Sequence, residues 1–179
     1  NVGTRSILSK ETDVVSLVEV YDQGIVELEK CIQELHNIAM TTADRYWDFV
    51  NAHEDRSTGW DSKSSLQLSC YRRGNHIEIK WTAIKWYGSK GKRTSLRTPI
   101  TKNPDTFAYH ETKLKVHAKD WEFDMVKETE LKMQLILRRA HHVVRGIMSL
   151  RNAKQVNRVT PIDGSPADLS DEPETDGND

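Results

Sequence analysis

The 179-residue sequence has no long apolar run, and this absence excludes several classes of protein. No stretch approaches about 18 consecutive apolar residues, so no transmembrane helix is expected. The first residues lack a basic start followed by an apolar run, so no secretory signal is expected. These absences predict a cytoplasmic protein with no membrane partner. The chain begins at Asn1 rather than Met, which is compatible with a natural start further upstream.

Cysteine is also scarce, and the common enzyme signatures are absent. Cys31 and Cys70 are the two cysteines, and without CxxC spacing they predict neither a zinc site nor a disulfide framework. We expect both to be buried free thiols, because free cysteine is among the most buried residue types. The sequence contains no GxxxxGK[ST], GxGxxG or HExxH motif. It therefore gives no positive sign of an enzyme.

A short segment rich in histidine and carboxylate is the alternative to this conclusion. Its candidate metal ligands or catalytic groups are His110, Glu111, His117 and Asp120. Histidines in a basic region more often donate to phosphate or lie exposed, so we expect no metal, no cofactor and no catalytic residues.

The net charge of −1 arises from large blocks of opposite sign. Residues 1–62 carry a net charge of −7 and residues 63–119 carry +10. Residues 120–130 carry −4, residues 131–159 carry +7 and residues 160–179 carry −7. Such asymmetry is typical of chains that bind polyanions or carry acidic tails.

Apolar residues from Val14 to about Val50 recur at alternating spacings of three and four, which predicts a long amphipathic helix. An average spacing near 3.5 favours packing along another long helix, either within the chain or in a second copy. The stripe contains Val18, Tyr21, Ile25, Leu28, Ile32, Leu35, Ala39, Thr42 and Tyr46, widened by Leu17, Val26, Cys31, Ile38 and Phe49.

The period changes to two after a predicted loop from His53 to Ser65, which indicates strands. Residues 66–71 and 76–87 form two strands around the turn Arg73-Gly74-Asn75, and residues 92–98 return as a third. Residues 113–116 are a possible short edge strand. The sequence thus predicts a three-stranded antiparallel meander.

A second long helix is expected from the N-cap Asp120 to about residue 152. From Thr160 onward, prolines, glycines and acids leave little to bury, so residues 160–179 are predicted to be a disordered acidic tail. The predicted fold is α+β: a long N-terminal helix, a three-stranded antiparallel meander and a long C-terminal helix in one domain over residues 1–159, followed by the tail.

Positive charge concentrates on the meander and is interleaved with aromatic residues. Lys and Arg neutralise phosphates, a two-stranded ribbon fits the DNA major groove, and aromatic rings stack on unpaired bases. The predicted DNA-binding residues on strands and turns are Arg72, Arg73, Lys80, Lys85, Lys90, Lys92, Arg93, Arg97 and Lys102.

A second basic cluster lies late in the C-terminal helix. It adds Arg138, Arg139 and Arg145 to the predicted DNA-binding residues. Neighbouring helical residues point about 100° apart, so only some of them face one partner. The expected contacts are Arg138, Arg145 and, as a third candidate, His142, and the others are expected to pair with the acidic face of the first helix.

Several short motifs follow one another in a characteristic order along the chain. They are Tyr46-Trp47-Asp48, Arg73-Gly74 followed by Ile77, Ile79 and Trp81, Gly91-Lys92-Arg93, Trp121-Glu122 with Val126, Thr129-Glu130 and Arg138-Arg139. This order resembles the MobI family of conjugative-transfer proteins, encoded on integrative and conjugative elements and related plasmids. The similarity covers roughly residues 40–152. The chain departs from the family pattern at Thr101-Lys102-Asn103-Pro104, where a glycine is expected after the third strand.

The resemblance implies a non-enzymatic bacterial factor that acts at the origin of transfer and helps a separate relaxase to start DNA processing. The expected partners are duplex or locally melted DNA and a relaxase, with a homodimer as a further possibility. The alternative is a protein-interaction adaptor that pairs through its long N-terminal helix without specific DNA binding.

Overall fold

A computed structural model describes the backbone of residues 3–89 and 91–156, and the side chains of residues 17–59, 61–89 and 91–156. The predicted acidic tail and Lys90 lie outside these ranges. The elements are helix α1 (Gly3–Arg56), a 3₁₀ turn (Trp60–Ser62), strands β1 (Leu66–Arg73), β2 (His76–Tyr87) and β3 (Thr94–Pro99), and helices α2 (Glu111–His117) and α3 (Phe123–Gln155). The α+β prediction is confirmed.

The three strands form an antiparallel sheet in the order β1-β2-β3. Leu66 lies opposite Ala83, and Arg73 opposite His76 around a turn at Gly74 and Asn75. The period of two places one set of side chains beneath the helices and leaves the other set on the open face. The buried set is Leu66, Leu68, Cys70, Ile77, Ile79, Trp81 and Ala83.

Helices α1 and α3 run antiparallel and cover the buried face of the sheet. Arg45 of α1 pairs with Glu128 near the start of α3, whereas Asp22 pairs with Lys154 near its end. Glycines allow the helices to approach closely: a Cβ on Gly24 would lie 3.0 Å from a Leu150 methyl group. The local weakening of a helix by glycine is therefore offset by packing.

The ends of both long helices differ from the sequence prediction. Helix α1 begins at Gly3 and continues to Arg56, so the first part of the predicted loop after His53 is helical. Residues 51–56 contain neither Pro nor Gly, and Glu54 accepts a hydrogen bond from the Ser64 N–H at 2.9 Å. Helix α3 begins after the N-cap Glu122, so the prediction of Asp120 as N-cap is wrong by two residues.

The possible edge strand at residues 113–116 is wrong, because these residues belong to α2. The alternation of lysine with Leu114 and Val116 suggested a strand, yet only Leu114 is buried and Val116 is 79% exposed. A short helix that contacts its neighbours through one side buries a single side chain in this way. The His110 side chain also accepts a hydrogen bond from the Thr112 N–H and caps the helix.

The apolar stripe of α1 is narrower than predicted. Ile25, Ile32, Ala39 and Tyr46 are buried, as the spacing indicated. The predicted stripe residues Leu17, Val18, Val26 and Ile38 are exposed. Cys31 is exposed too, which contradicts its prediction as a buried thiol, whereas Cys70 is buried as expected. The exposed residues lie beyond the contacts that α1 makes with α3 and the sheet, so residue type alone did not identify the buried face.

Candidate nucleic-acid interface

The hairpin of β2 and β3 projects beyond the rest of the sheet. Ile84 donates its N–H to Ser65 just before β1, at 2.8 Å, and residues 85–87 continue past this point. They pair with residues 94–96 of β3. We call residues 84–97 the basic ribbon. A projecting two-stranded ribbon of this kind has the width that a DNA major groove admits.

The tip of the basic ribbon is a tight turn built on two glycines. Gly88 and Gly91 have φ angles of 99° and 97°, which side-chain-bearing residues rarely adopt. The Lys92 N–H donates to the Ser89 carbonyl at 3.0 Å and closes the turn. The side chains of Lys92 and Arg93 are exposed beside it. The predicted Gly-Lys-Arg turn therefore presents cations to solvent, while Lys90 lies outside the described residues.

Side chains of the basic ribbon alternate between two faces. Trp86 and Arg97 lie on the open face of the sheet, whereas Lys85, Tyr87 and Leu96 continue the face that the helices cover further along. The helices do not reach this far, and Trp86, Tyr87 and Leu96 are 43%, 51% and 54% exposed. Aromatic and apolar side chains thus lie beside cations on both faces.

Most of the predicted cations are exposed and not paired with acids. Within residues 17–59, 61–89 and 91–156, no ion pair engages Arg73, Lys85, Lys92 or Arg97. Lys85, Lys92 and Arg97 lie together on the basic ribbon and produce a positive local potential there, whereas Arg73 lies at the opposite end of the sheet beside His76. This is the electrostatic pattern that phosphate groups require.

Three of the predicted cations are instead bound within the fold. Arg72 donates to Gln33 of α1 at 2.6 Å and to the Gly74 carbonyl at 2.6 Å, so it anchors the first turn to the helix. Lys80 pairs with Glu78 on the same strand at 2.8 Å. Lys80 and Tyr71, both hydrogen-bonded to Glu78, lower the pKa of that carboxyl to about 2.

Lys102 is the third cation bound within the fold. Its Nζ reaches the Ile79 carbonyl at 3.4 Å and lies 6.0 Å from the centre of the Tyr109 ring. Burial lowers the pKa of its amine. Lys102 thus packs the loop after β3 onto the sheet.

The late cations of α3 lie away from the basic ribbon. Ala140 and His141 line a cavity of about 360 Å³ with His76 and Ile77, at the opposite end of β2 from the ribbon tip. Ten residues of extended strand separate Ile77 from the end of β2, a distance of about 33 Å. The late cations of α3 therefore do not converge with the cations of the ribbon tip, although Lys102 of the first predicted group lines the same cavity as Ala140 and His141.

The predicted α3 residues are Arg138, Arg139 and Arg145, and all three are exposed. None of them forms an ion pair with a residue in the described part of the chain. The cations that do join α3 to the acidic face of α1 are Arg151, 3.5 Å from Glu29, and Lys154, beside Asp22.

Lys63 and Lys119 complete the basic surface, and the sequence did not single them out. They line a groove at the foot of the basic ribbon together with Ser65, Ile84, Lys85, Trp86 and Tyr87. We call this the ribbon groove; its volume is about 310 Å³. Both lysines fall at the ends of the +10 segment, so the charge count included them. Only the folded chain shows that they meet.

Two buried carboxylates hold the core beside this surface. Glu122 accepts hydrogen bonds from Ser64 Oγ at 2.6 Å and the Lys119 N–H at 3.2 Å. Glu130 accepts from Trp81 Nε1 and the Tyr109 N–H, both at 2.8 Å. Burial raises the pKa of both carboxyl groups. Their oxygens are engaged by these donors, so they act as structural acceptors.

The alternative metal cluster does not assemble. Among the described residues, no group of three histidine, cysteine or carboxylate side chains is placed to hold a metal ion. His110 Nδ1 lies 2.7 Å from the Thr112 hydroxyl and caps α2. No described helix is both long and apolar enough to cross a membrane.

The fold and this surface define a small α+β protein with a projecting basic β-ribbon. The chain belongs to the MobI family, since the family model described as MobI protein matches residues 35–151. The resemblance seen in the sequence is confirmed. The family is one of mobilisation accessory proteins and is not a known enzyme family, which places the chain among mobilisation-related proteins. No curated protein and no solved structure matches the chain.

Proposed function

We propose that this protein is a DNA-binding accessory factor that contacts the origin of transfer through the basic ribbon and helps a relaxase to begin DNA processing. The observation that carries the proposal is the projecting ribbon, whose cations Lys85, Lys92 and Arg97 have no acidic partner among the described residues. Family membership supports the setting in mobilisation. The ribbon dimensions and the exposed cations support contact with duplex phosphates.

A titration of transfer-origin duplex against a shuffled duplex, at several salt concentrations, tests this proposal. We expect tighter binding to the transfer-origin sequence and an affinity that falls steeply with salt. A double variant with Lys92→Ala and Arg93→Ala should weaken binding to both sequences and reduce the logarithmic salt slope by about one per lost phosphate contact.

The matched control changes two cations on the helices, Lys30→Ala and Lys132→Ala, whose amines pair with Glu27 and Glu128 on the same helices. It should leave the salt slope unchanged. Equal affinity for the two duplexes would remove sequence-specific binding. A salt-independent affinity, or equal slopes in the ribbon and control variants, would remove phosphate contact by the ribbon.

A second candidate function is self-association through α1, and the length of this helix favours it. Lys154 beside Asp22 marks the end of α3, so about 19 residues of α1, some 28 Å, extend past its partner helix. Leu17, Val18 and Val20 are exposed where this extension begins. An unsupported helical segment of this length is only marginally stable, and a second copy would cover its apolar side.

A further inference from the structure

The ribbon groove combines positive charge with aromatic surface at one place. The groove forms where β2 continues past its pairing with the first residue of β1, Leu66. Beyond this point the edge of β2 that was paired with β1 is open to the groove. Lys63, Lys85 and Lys119 reach it from three separate segments of the chain. Trp86 and Tyr87 form its ribbon side. Phosphates and bases can therefore be contacted within the same 310 Å³ space.

The charges around the ribbon groove favour an anion. Lys85 and Lys119 form no ion pair within the described parts of the chain. Lys63 lies 3.5 Å from Glu54, which offsets part of its charge, although its side chain is 49% exposed. The nearby carboxylate of Glu122 is fully buried and accepts the Lys119 backbone N–H, so it lies beneath the groove rather than in it.

The aromatic residues indicate which form of DNA fits. Trp86 and Tyr87 both line the groove and are 43% and 51% exposed, with Tyr87 on the ribbon face that carries Lys85 and Trp86 on the other face. In a duplex the base faces are occupied by stacking on their neighbours, so an aromatic side chain gains access only to a base that has left the stack. Binding sites for single strands combine such rings with cations along a groove.

We propose that the ribbon groove binds an unpaired segment of a DNA strand, with a base stacked on Trp86 or Tyr87 and the adjacent phosphates on Lys85 and Lys119. The inference rests on the proposed function, since it specifies which form of DNA binds at the foot of the basic ribbon. The ribbon tip contacts duplex phosphates, and the groove holds the strand where the duplex has opened.

Fluorescence anisotropy of the full chain with two labelled probes tests the inference. The probes are an oligothymidylate of about 12 nucleotides and a duplex of similar total charge. Trp86→Leu, which removes the ring and keeps an apolar side chain, should weaken oligothymidylate binding at least about fivefold. Tyr87→Leu, which removes the second ring, should weaken oligothymidylate binding to a similar extent. Duplex affinity should change by less than about twofold, because a duplex presents no free base face.

Trp86→Phe keeps an aromatic ring and should restore most of the oligothymidylate affinity. Leu135→Ala, which shortens an exposed apolar side chain on α3, is the matched control and should alter neither affinity. Unchanged melting temperatures would show that the variants fold.

Each result decides between the two proposals. If Trp86→Leu and Tyr87→Leu leave oligothymidylate affinity unchanged, or weaken both probes equally, the inference is wrong while duplex binding by the ribbon stands. If the wild-type chain binds neither probe, the proposed function fails and the inference fails with it.

Discussion

Arginine and lysine side chains of the same charge serve different purposes in this fold. Arg72 and Lys102 hold loops and turns onto the core, and Lys80 neutralises Glu78 on its own strand. Lys92 and Arg97 instead extend from the ribbon without an acidic partner among the described residues. The sequence identified all five as basic. It could not identify their partners, because Gln33 and Ile79 come close only after the chain folds.

Glu122 predicts how protein stability depends on pH. Burial raises the pKa of its carboxyl, so the folded state binds its proton more tightly than the unfolded state does. The stabilising contribution is therefore complete below the ordinary carboxyl pKa and is lost as pH rises through the raised one. Glu122→Gln removes this titration, and Ser64 and Tyr46 keep partners because hydroxyl groups can accept as well as donate.

Urea unfolding of the wild type and Glu122→Gln across a pH series measures this difference. The variant should gain stability relative to the wild type as pH rises from about 4 to 7. The control is Glu128→Gln, at an exposed carboxyl whose pKa Lys132 lowers, and it should show a small difference of the opposite sign. If the free energy of unfolding changed with pH in the same way in the wild type and in Glu122→Gln, a raised pKa of Glu122 in the folded state would be contradicted.

The basic ribbon depends on glycine at its tip. Gly88 has a φ of 99°, and a Cβ there would lie 2.4 Å from the Lys92 carbonyl oxygen. Gly88→Ala therefore requires the tip to change shape, at a local cost of about 1–3 kcal/mol. Hydrogen exchange should become faster for amides of residues 85–97, and DNA affinity should fall about three- to tenfold. The melting temperature should change little, since the ribbon lies outside the helix-covered core.

Gly59→Ala is the matched control for this variant. Nothing lies within 4 Å of a Cβ built on Gly59, and its φ lies outside the strained range. Exchange in the ribbon should be unaffected by this change. If Gly88→Ala also left ribbon exchange at the wild-type rate, the turn would not depend on glycine as the geometry indicates.

Elements with strong periodicity could be predicted from the sequence, and short elements could not. The stripe through Ile25, Ile32 and Ala39 identified α1, and the alternation around Trp81 identified β2, because one face of each is buried. Helix α2 buries only Leu114, so its sequence carries no helical period. The ribbon groove was likewise beyond prediction, since Lys63 and Lys119 lie 56 positions apart in the chain.

The molecule as a whole separates its interaction surfaces. The basic ribbon projects at one end of the sheet, and the α1 extension leaves the opposite end, beyond Asp22. In the sequence, Ile7, Val14 and Tyr21 recur every seven residues, which supplies one of the two apolar positions of a coiled-coil heptad. Two copies joined antiparallel through these extensions would carry two ribbons, one at each end of the dimer.

Sedimentation without DNA tests this arrangement. We expect the average mass to rise with concentration, and we expect a double variant with Val14→Glu and Val18→Glu to remain a monomer. Val116→Glu introduces the same charge at an exposed position of α2 and should not change the association. A concentration-independent monomer in the wild type would remove the self-association proposal and leave DNA binding by the ribbon untouched.

The two cysteines differ in exposure, so one of them is accessible for chemical labelling and the other is not. Cys70 is buried against the helices, and burial raises the pKa of its thiol to about 11, which keeps it protonated and unreactive. Cys31 is exposed on α1, two residues before Gln33, which binds Arg72 at the end of the sheet furthest from the ribbon. A maleimide dye would therefore label Cys31 selectively, and the unmodified sequence already supports a fluorescent reporter placed far from the surface that we expect DNA to occupy.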